Sequence, residues 1–528
     1  MEQPTSTRFD KASSVESATV SGSDAQAGTG LSSRIPLPGA IPDDAVSPTY
    51  ARKAHVLNAA IQEIGMGRYQ WGLFFVAGFG WCADNLWPQT VAIILPTMIL
   101  ELNPPRKEYL ALSQSIGLCV GASFWGIGSD IIGRRWAFNL TLLITAVFGL
   151  AAGWSPTFSV LAGMVSMWSV GVGGNLPVDS AVFLEFLPAS HQYLLTVMSV
   201  WWSAGQILAS AVAWPLIGMY SCPETGTCTK EMNMGWRYFL WSMGGFTMFM
   251  FIIRFFVFEL YEAPKWLMGR GDDQGAAAVV DKLATFNRTT TSFSISDLQS
   301  IDAAETAEEY TTTAAAIKRN LSKFSGSHIR ALFSTPSMTK STSLIMVLWF
   351  LIGLAFPLYN CFLPYFLTRN GAAGDNSLFT TYRNYLIIGV MNVPGSLIGG
   401  VAVEVPRLGR KGAMCAATIL TGVFLFLSTT SKSSNALLGW NCAYAMTSNM
   451  MYGILYAYTP EVFPTKDRGT GNGLASTANR IGGILAPVIA MYANIDTPIP
   501  IYVAASCFVA AGVIMLWLPY ESRGKGSL

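Results

Sequence analysis

The sequence predicts an all-α membrane protein, with twelve transmembrane helices in two six-helix pseudo-repeats. Three observations carry the prediction. Of the 528 residues, 51% are hydrophobic and only 12% are charged, about half the ~25% charge of a soluble domain. Many apolar runs reach the ~20 residues needed to cross a hydrocarbon core. Two motifs recur along the chain at a single spacing.

The apolar runs lie near 71–100, 108–128, 136–153, 158–184, 194–219 and 236–258, then near 341–367, 381–404, 413–430, 437–463, 472–493 and 500–518. Each must be helical, because an open strand in lipid leaves backbone groups unpaired. Gly133-Arg134-Arg135 recurs as Gly409-Arg410-Lys411, an offset of 276 (409 minus 133). Glu185-Phe-Leu-Pro188 recurs as Glu461-Val-Phe-Pro464 at the same offset of 276 (461 minus 185). Parallel repeats of this kind place a solute site at their interface near the midplane.

These runs divide the chain into a disordered cytosolic tail (1–60), an N-terminal bundle (61–261), a cytosolic linker (262–340), a C-terminal bundle (341–519) and a short cytosolic tail (520–528). Within the linker, Asp281–Asn287 and Thr306–Ser322 are candidates for short amphipathic helices, the alternative being a flexible segment. Arg52, Lys53, Arg68, Arg134, Arg135, Arg410 and Lys411 fall on one side when the spans alternate, as do the linker cations. The positive-inside rule then puts both termini and the linker in the cytosol.

Composition also narrows function. A net charge of +2 gives no reason to expect nucleic acid. The three histidines are scattered, and no metal-ligand spacing or phosphate loop is present, so an enzyme built on a metal or nucleotide is not supported. No cofactor is expected. Cys222 and Cys228 flank a short loop assigned outside the cytosol, where a disulfide can persist.

At the level of motifs the chain resembles the major facilitator superfamily and, within it, the sugar porters. The residues are Gly126-Ile-Gly-Ser-Asp130-Ile-Ile-Gly133-Arg134-Arg135 and Glu262-Ala-Pro264-Lys265. Tyr458-Thr-Pro460-Glu461 through Gly471, with Gly65-x-Gly67-Arg68, is similar to the subgroup of synaptic-vesicle-two-related proteins and nicotinate permeases. Gly173-Gly174-Asn175-Leu-Pro177-Val-Asp179 resembles fungal members. The resemblance implies the major facilitator fold and a monomeric, secondary active carrier of a small organic solute, in the plasma membrane or an endomembrane. An organic acid or nicotinate-like solute is expected, with alternating access and proton coupling as a further expectation. A sugar is the first alternative, and a non-transporting nutrient receptor the second. Val165 stands where sugar porters usually carry an arginine, which argues against the sugar.

The resemblance also implies a gating network of Gly126, Asp130, Gly133, Arg134, Arg135, Glu185, Glu262, Arg410, Lys411, Glu461 and Glu521. The alternative is exposed ion pairs worth ~0–1 kcal/mol each. Asp84, well inside the first span, is the more informative residue, since a charge at membrane centre costs on the order of 2.5–3.5 kcal/mol. It binds a proton or the solute, or else makes a structural hydrogen bond. Gly171, Asn175 and Asp179 share one helix face, read as packing at Gly171 and as a cavity wall at Asp179. Arg480 could snorkel, pair with Asp130 or Asp179, or attract an anion. Gln206, Asn384 and Tyr456 complete the candidates for the solute path.

Overall fold

The computed structural model describes residues 48–191, 194–222, 228–304, 329–330, 332–370, 377–403, 405, 408–463, 468–494 and 496–520. Among them every regular element is helical. The first half comprises α1 (Pro48–Ile64), α2 (Arg68–Leu102), α3 (Tyr109–Ile132), α4 (Arg134–Ala152), α5 (Phe158–Phe186), α6 (Leu194–Val197), α7 (Val200–Met219) and α8 (Gly235–Ile252). A π-helical turn, Ile253–Val257, ends α8. The linker supplies α9 (Pro264–Met268), α10 (Asp273–Asn287) and α11 (Ile295–Ala304). The second half comprises α12 (Pro336–Asn360), α13 (Leu363–Asn370), α14 (Leu378–Val390), α15 (Asn392–Ala402), α16 (Gly409–Ser428), α17 (Ser434–Val462), α18 (Arg468–Ala493) and α19 (Ile499–Met515).

A helix stands at each of the twelve expected spans. Among the described residues, eight helical stretches are long and apolar enough to cross a membrane. The twelvefold count is carried forward as our proposal.

Local chemistry explains where spans begin. Thr157, Thr335, Ser377 and Ser433 each accept a hydrogen bond from the backbone N–H three residues on, at 3.2–3.4 Å, which satisfies a donor the helix itself cannot. Gly133 and Gly409 sit at φ +110° and +60°, a region open to glycine and costly for other residues, so the repeated motif marks a repeated turn. Packing is close: a Cβ on Gly117 or Gly121 of α3 would meet the α5 backbone at Ser166 and Val170, the small-residue contact typical of helices in lipid.

Two expectations are corrected. The segment assigned as a tail over 1–60 ends in helix α1, because Leu57, Ala60, Ile61 and Ile64 bury against the linker helices. Residues 1–47 lie outside the described residues. The amphipathic helix expected at Asp281–Asn287 begins earlier, at Asp273, where the Asp272 carboxylate accepts the Gly275 N–H at 2.7 Å. The span expected at 381–404 stands as one apolar stretch, Leu378–Ala402, with a turn at Met391 between α14 and α15, where Pro394 has no N–H for the Val390 carbonyl. The segment 306–322 and Glu521 fall outside the described residues.

The linker helices pack under the first half. Lys53 pairs with Asp273 at 2.5 Å. Asn287 accepts the Tyr69 N–H at 3.0 Å and donates to Gln70 at 2.8 Å. We call this the linker end of the molecule and the opposite one the far end.

Candidate functional site: a charged cavity between the halves

A cavity of about 240 Å³ lies between the two halves. It is built where prolines remove a hydrogen bond from continuous helices. Pro88 in α2 cannot bond the Asp84 carbonyl, and Pro357 in α12 cannot bond that of Gly353. Both prolines line the cavity, as do Asp84 and Arg480. Asp84 comes from α2 in one half and Arg480 from α18 in the other, and each is partly exposed. The Arg480 charge acts on Asp84, yet among the described residues neither group has a hydrogen bond or an ion pair. Two opposite charges therefore face one space without being joined.

Aromatic rings form one wall. Tyr456 stands 5.1 Å from Trp202 across the interface and 4.8 Å from Trp349, ring centre to ring centre. Amides form another. Asn392 donates to Gln206 at 2.6 Å, and Gln206 donates to Asn85 at 3.0 Å, a chain running from one half to the other. Asn360 donates to Tyr444 at 2.6 Å.

The structure thus gathers Asp84, Gln206, Tyr456 and Arg480 from the sequence candidates into one cavity. It leaves Asn175, Asp179 and Asn384 out of it. Asn384 is buried in α14 beside Arg383, which donates to it at 3.2 Å. Gly171 packs as expected, against Thr141 and Thr145.

Asp179 requires a correction. It is fully buried and pairs with Arg254 at 2.6 Å, not with Arg480. Arg254 also donates to the Val76 carbonyl at 2.7 and 3.0 Å and to the Phe138 carbonyl at 2.6 Å. Sequence reasoning passed over Arg254. The signal was present, a lone cation in the run Phe249–Phe258, and it follows the same rule that singled out Asp84.

The gating candidates pair within their own halves. Arg134 lies 3.2 Å from Glu185, and Arg410 pairs with Glu461 at the matching repeat position. Glu262 accepts the Arg134 N–H at 2.9 Å and the Arg135 N–H at 3.3 Å. Burial pushes the Glu262 carboxyl up, with these N–H bonds opposing it, and pushes the neighbouring Lys265 ammonium down. Lys411 donates to the Leu518 carbonyl at 2.6 Å. The space beside Gly126 is open. The Asp130 side chain lies outside what is described.

At the far end the halves are tied together. Lys107 lies 2.9 Å from Asp496 and 2.6 Å from the Tyr365 hydroxyl, which also donates to Asp496. The Tyr382 hydroxyl donates to the Ile93 carbonyl at 2.6 Å. Cys222 and Cys228 form a disulfide at this end.

Comparison with known proteins agrees with the geometry. Residues 106–526 match the family model described as sugar (and other) transporter. A relative in Ceriporiopsis subvermispora, named MFS siderochrome iron transporter 1, is 53% identical over 92% of this chain and 93% of its own. The niacin transporter NiaP of Acinetobacter baylyi is 25% identical over 89% of this chain and 98% of its own. A synaptic vesicle 2-related protein of Xenopus laevis is 24% identical over 92% and 84%. The inward-open xylose transporter XylE of E. coli has the same fold, with a TM-score of 0.64 at 17% identity over 87% of this chain and 98% of that one.

Fold and site together define a multi-pass membrane transporter of small solutes, not an enzyme. The chain belongs to the sugar (and other) transporter family of the major facilitator superfamily.

Proposed function

We propose that the chain carries a small organic monocarboxylate, nicotinate-like in size and shape, by alternating access and with a coupled proton. One observation carries the reading: Asp84 and Arg480 face a shared cavity, unjoined, beside the Trp202–Tyr456 wall. Arg480 is the seat for the solute carboxylate, because guanidinium and carboxylate bond in a fixed planar fork. Trp202 and Tyr456 flank the ring. Asp84 takes the proton, so that the loaded site carries no excess charge through the membrane.

The similarity to a niacin transporter supports this reading. The relative named for siderochrome iron favours a second cargo, a ferric chelate. The cavity of about 240 Å³ lies just under the ~300–1,000 Å³ of drug-sized sites and suits the smaller solute better. The family resemblance supports a monomer in the plasma membrane, and the distribution of Lys and Arg supports placing both termini in the cytosol.

The test is uptake into proteoliposomes. With acid outside, the protein should accumulate labelled nicotinate and ignore a ferric hydroxamate. Replacing Arg480 by alanine removes a charged hydrogen bond of about 1.5–3 kcal/mol, so the apparent affinity should fall roughly tenfold to a hundredfold. Vesicles that take up the chelate and leave nicotinate outside would overturn the assignment.

A further inference from the structure

We propose that Asn175 and Asp179 hold a buried water that exchanges protons with Asp84, making Asp179 a second protonation station beside the cavity. The inference rests on the proton-coupled reading above and adds a site to it.

The argument begins with unmet hydrogen bonds. Asn175 is wholly buried, and among the described residues neither atom of its amide has a partner. Asp179, one turn further along α5, is wholly buried too, and its Oδ1 has no partner among them. Buried polar atoms left unmet cost on the order of 1–3 kcal/mol each, and internal waters meet them where two to four polar atoms converge. Three such atoms lie here on one helix face.

The route to Asp84 is short. Gly80 of α2 abuts this face. A Cβ there would meet the Asp179 carboxylate and lie 3.2 Å from Asn175 Cβ. Asp84 is one turn beyond Gly80, about 6 Å along the helix axis, and the Asp179 charge acts on it. The other charge facing Asp179 is Arg254, from the turn ending α8. Around that pair α2 and α4 present the Val76 and Phe138 carbonyls, and α3 presents Trp125 one turn away at Gly174, none of which carries a charge. Arg480 faces Asp84 from α18.

Arg254 lets Asp179 lose its charge. A guanidinium bonded to a carboxylate alone would be stranded when that carboxylate took a proton. Arg254 instead keeps the Val76 and Phe138 carbonyls, and its guanidinium lies 3.5 Å over the Phe138 ring. In the relay, Asp84 gives its proton to the water, and the water gives one of its own to Asp179 Oδ1. Asp84 ends as carboxylate, Asp179 as carboxylic acid, and the water is unchanged.

The test is an infrared pH titration of the full chain in lipid nanodiscs, read at the protonated-carboxyl stretch. Wild type should show a band from each of Asp84 and Asp179 among its buried carboxyls. Asp84→Asn should remove one, and Asp179→Asn the other. In parallel, vesicles supplied with nicotinate should show at least a tenfold loss of acid-driven accumulation in Asp179→Asn and in Asn175→Leu, which leaves the Asp179–Arg254 pair intact. Nicotinate exchange without a pH gradient should survive in both. The relay is overturned if Asp179→Asn leaves the spectrum unchanged, or if Asn175→Leu accumulates nicotinate like wild type. If wild type ignores nicotinate while the Asp179 band titrates, the solute assignment fails and the protonation station stands.

Discussion

The two halves descend from one repeat, yet they handle buried polarity in different ways. The first half uses charge: Arg254 with Asp179, and Arg237 with Glu101 at 2.6 Å, where Asn233 and Trp236 add bonds to the same carboxylate. The second half uses neutral groups: Tyr359 donates to Asn441 at 2.5 Å, Trp349 to Thr459 at 2.9 Å and Thr421 to Thr447 at 3.1 Å. The contrast is sharpest in the first span of each half. Asp84 and Pro88 recur 276 residues later (360 minus 84) as Asn360 and Pro364. The second half keeps the proline and has a neutral amide in place of the charge. In the proposed cycle the proton is thereby handled by one half, while the other contributes the Arg480 cation to the shared cavity.

That asymmetry can be broken by mutation. Arg254→Met strands a buried carboxylate, and losing one partner of such a pair costs about 3–5 kcal/mol. Thermal unfolding in detergent should show the largest loss for this variant, and a wild-type midpoint would remove charge as the tie of the first half. Asn360→Asp copies the first half's charge into the second, where among the described residues that position bonds the Phe356 carbonyl and the Tyr444 hydroxyl and no cation. It should lower stability by about 2.5–3.5 kcal/mol, recovered when the melt is repeated in acid, where the added carboxyl is neutral. Tyr359→Phe removes a neutral bond and leaves the Asn441 oxygen unmet, at about 1–3 kcal/mol. If it matches Arg254→Met, the two kinds of tie are not different in weight. Lys107→Ala should be the mildest, ~1 kcal/mol or less, because Asp496 is about half exposed. High salt should abolish the difference from wild type in the same melt.

Much of this architecture was legible in the sequence because membranes impose a length and a polarity on every span. The repeat was legible because Gly133 and Gly409 occupy backbone conformations few other residues tolerate. Asp84 and Arg480 were legible as cavity groups because an isolated charge in an apolar run has few places to go. Helix rotation was not legible. Periodicity put Asn175 and Asp179 on a common face but could not say which neighbour that face meets, and it meets α2 and Arg254 instead of the cavity. Asn384 was misjudged for the same reason. The turn at Met391 had a sign in Pro394, but a proline alone does not mark a turn, since Pro88 and Pro177 lie inside unbroken helices.

The jointed span has mechanical meaning. Its first piece, α14, leans on the opposite half: Phe379 packs on Trp214 and at Gly218, and Gly389 lies by Gln206. Its second piece, α15, is bound to its own half, where Asn449 donates to the Asn392 carbonyl and to Ser396 at 2.6 and 2.7 Å. A stiff rod gripped at both ends by separate bodies would resist their rocking along its whole length. The turn at Met391 falls between the segment gripped by one body and the segment gripped by the other, beside the amide bridge from Asn392 to Gln206.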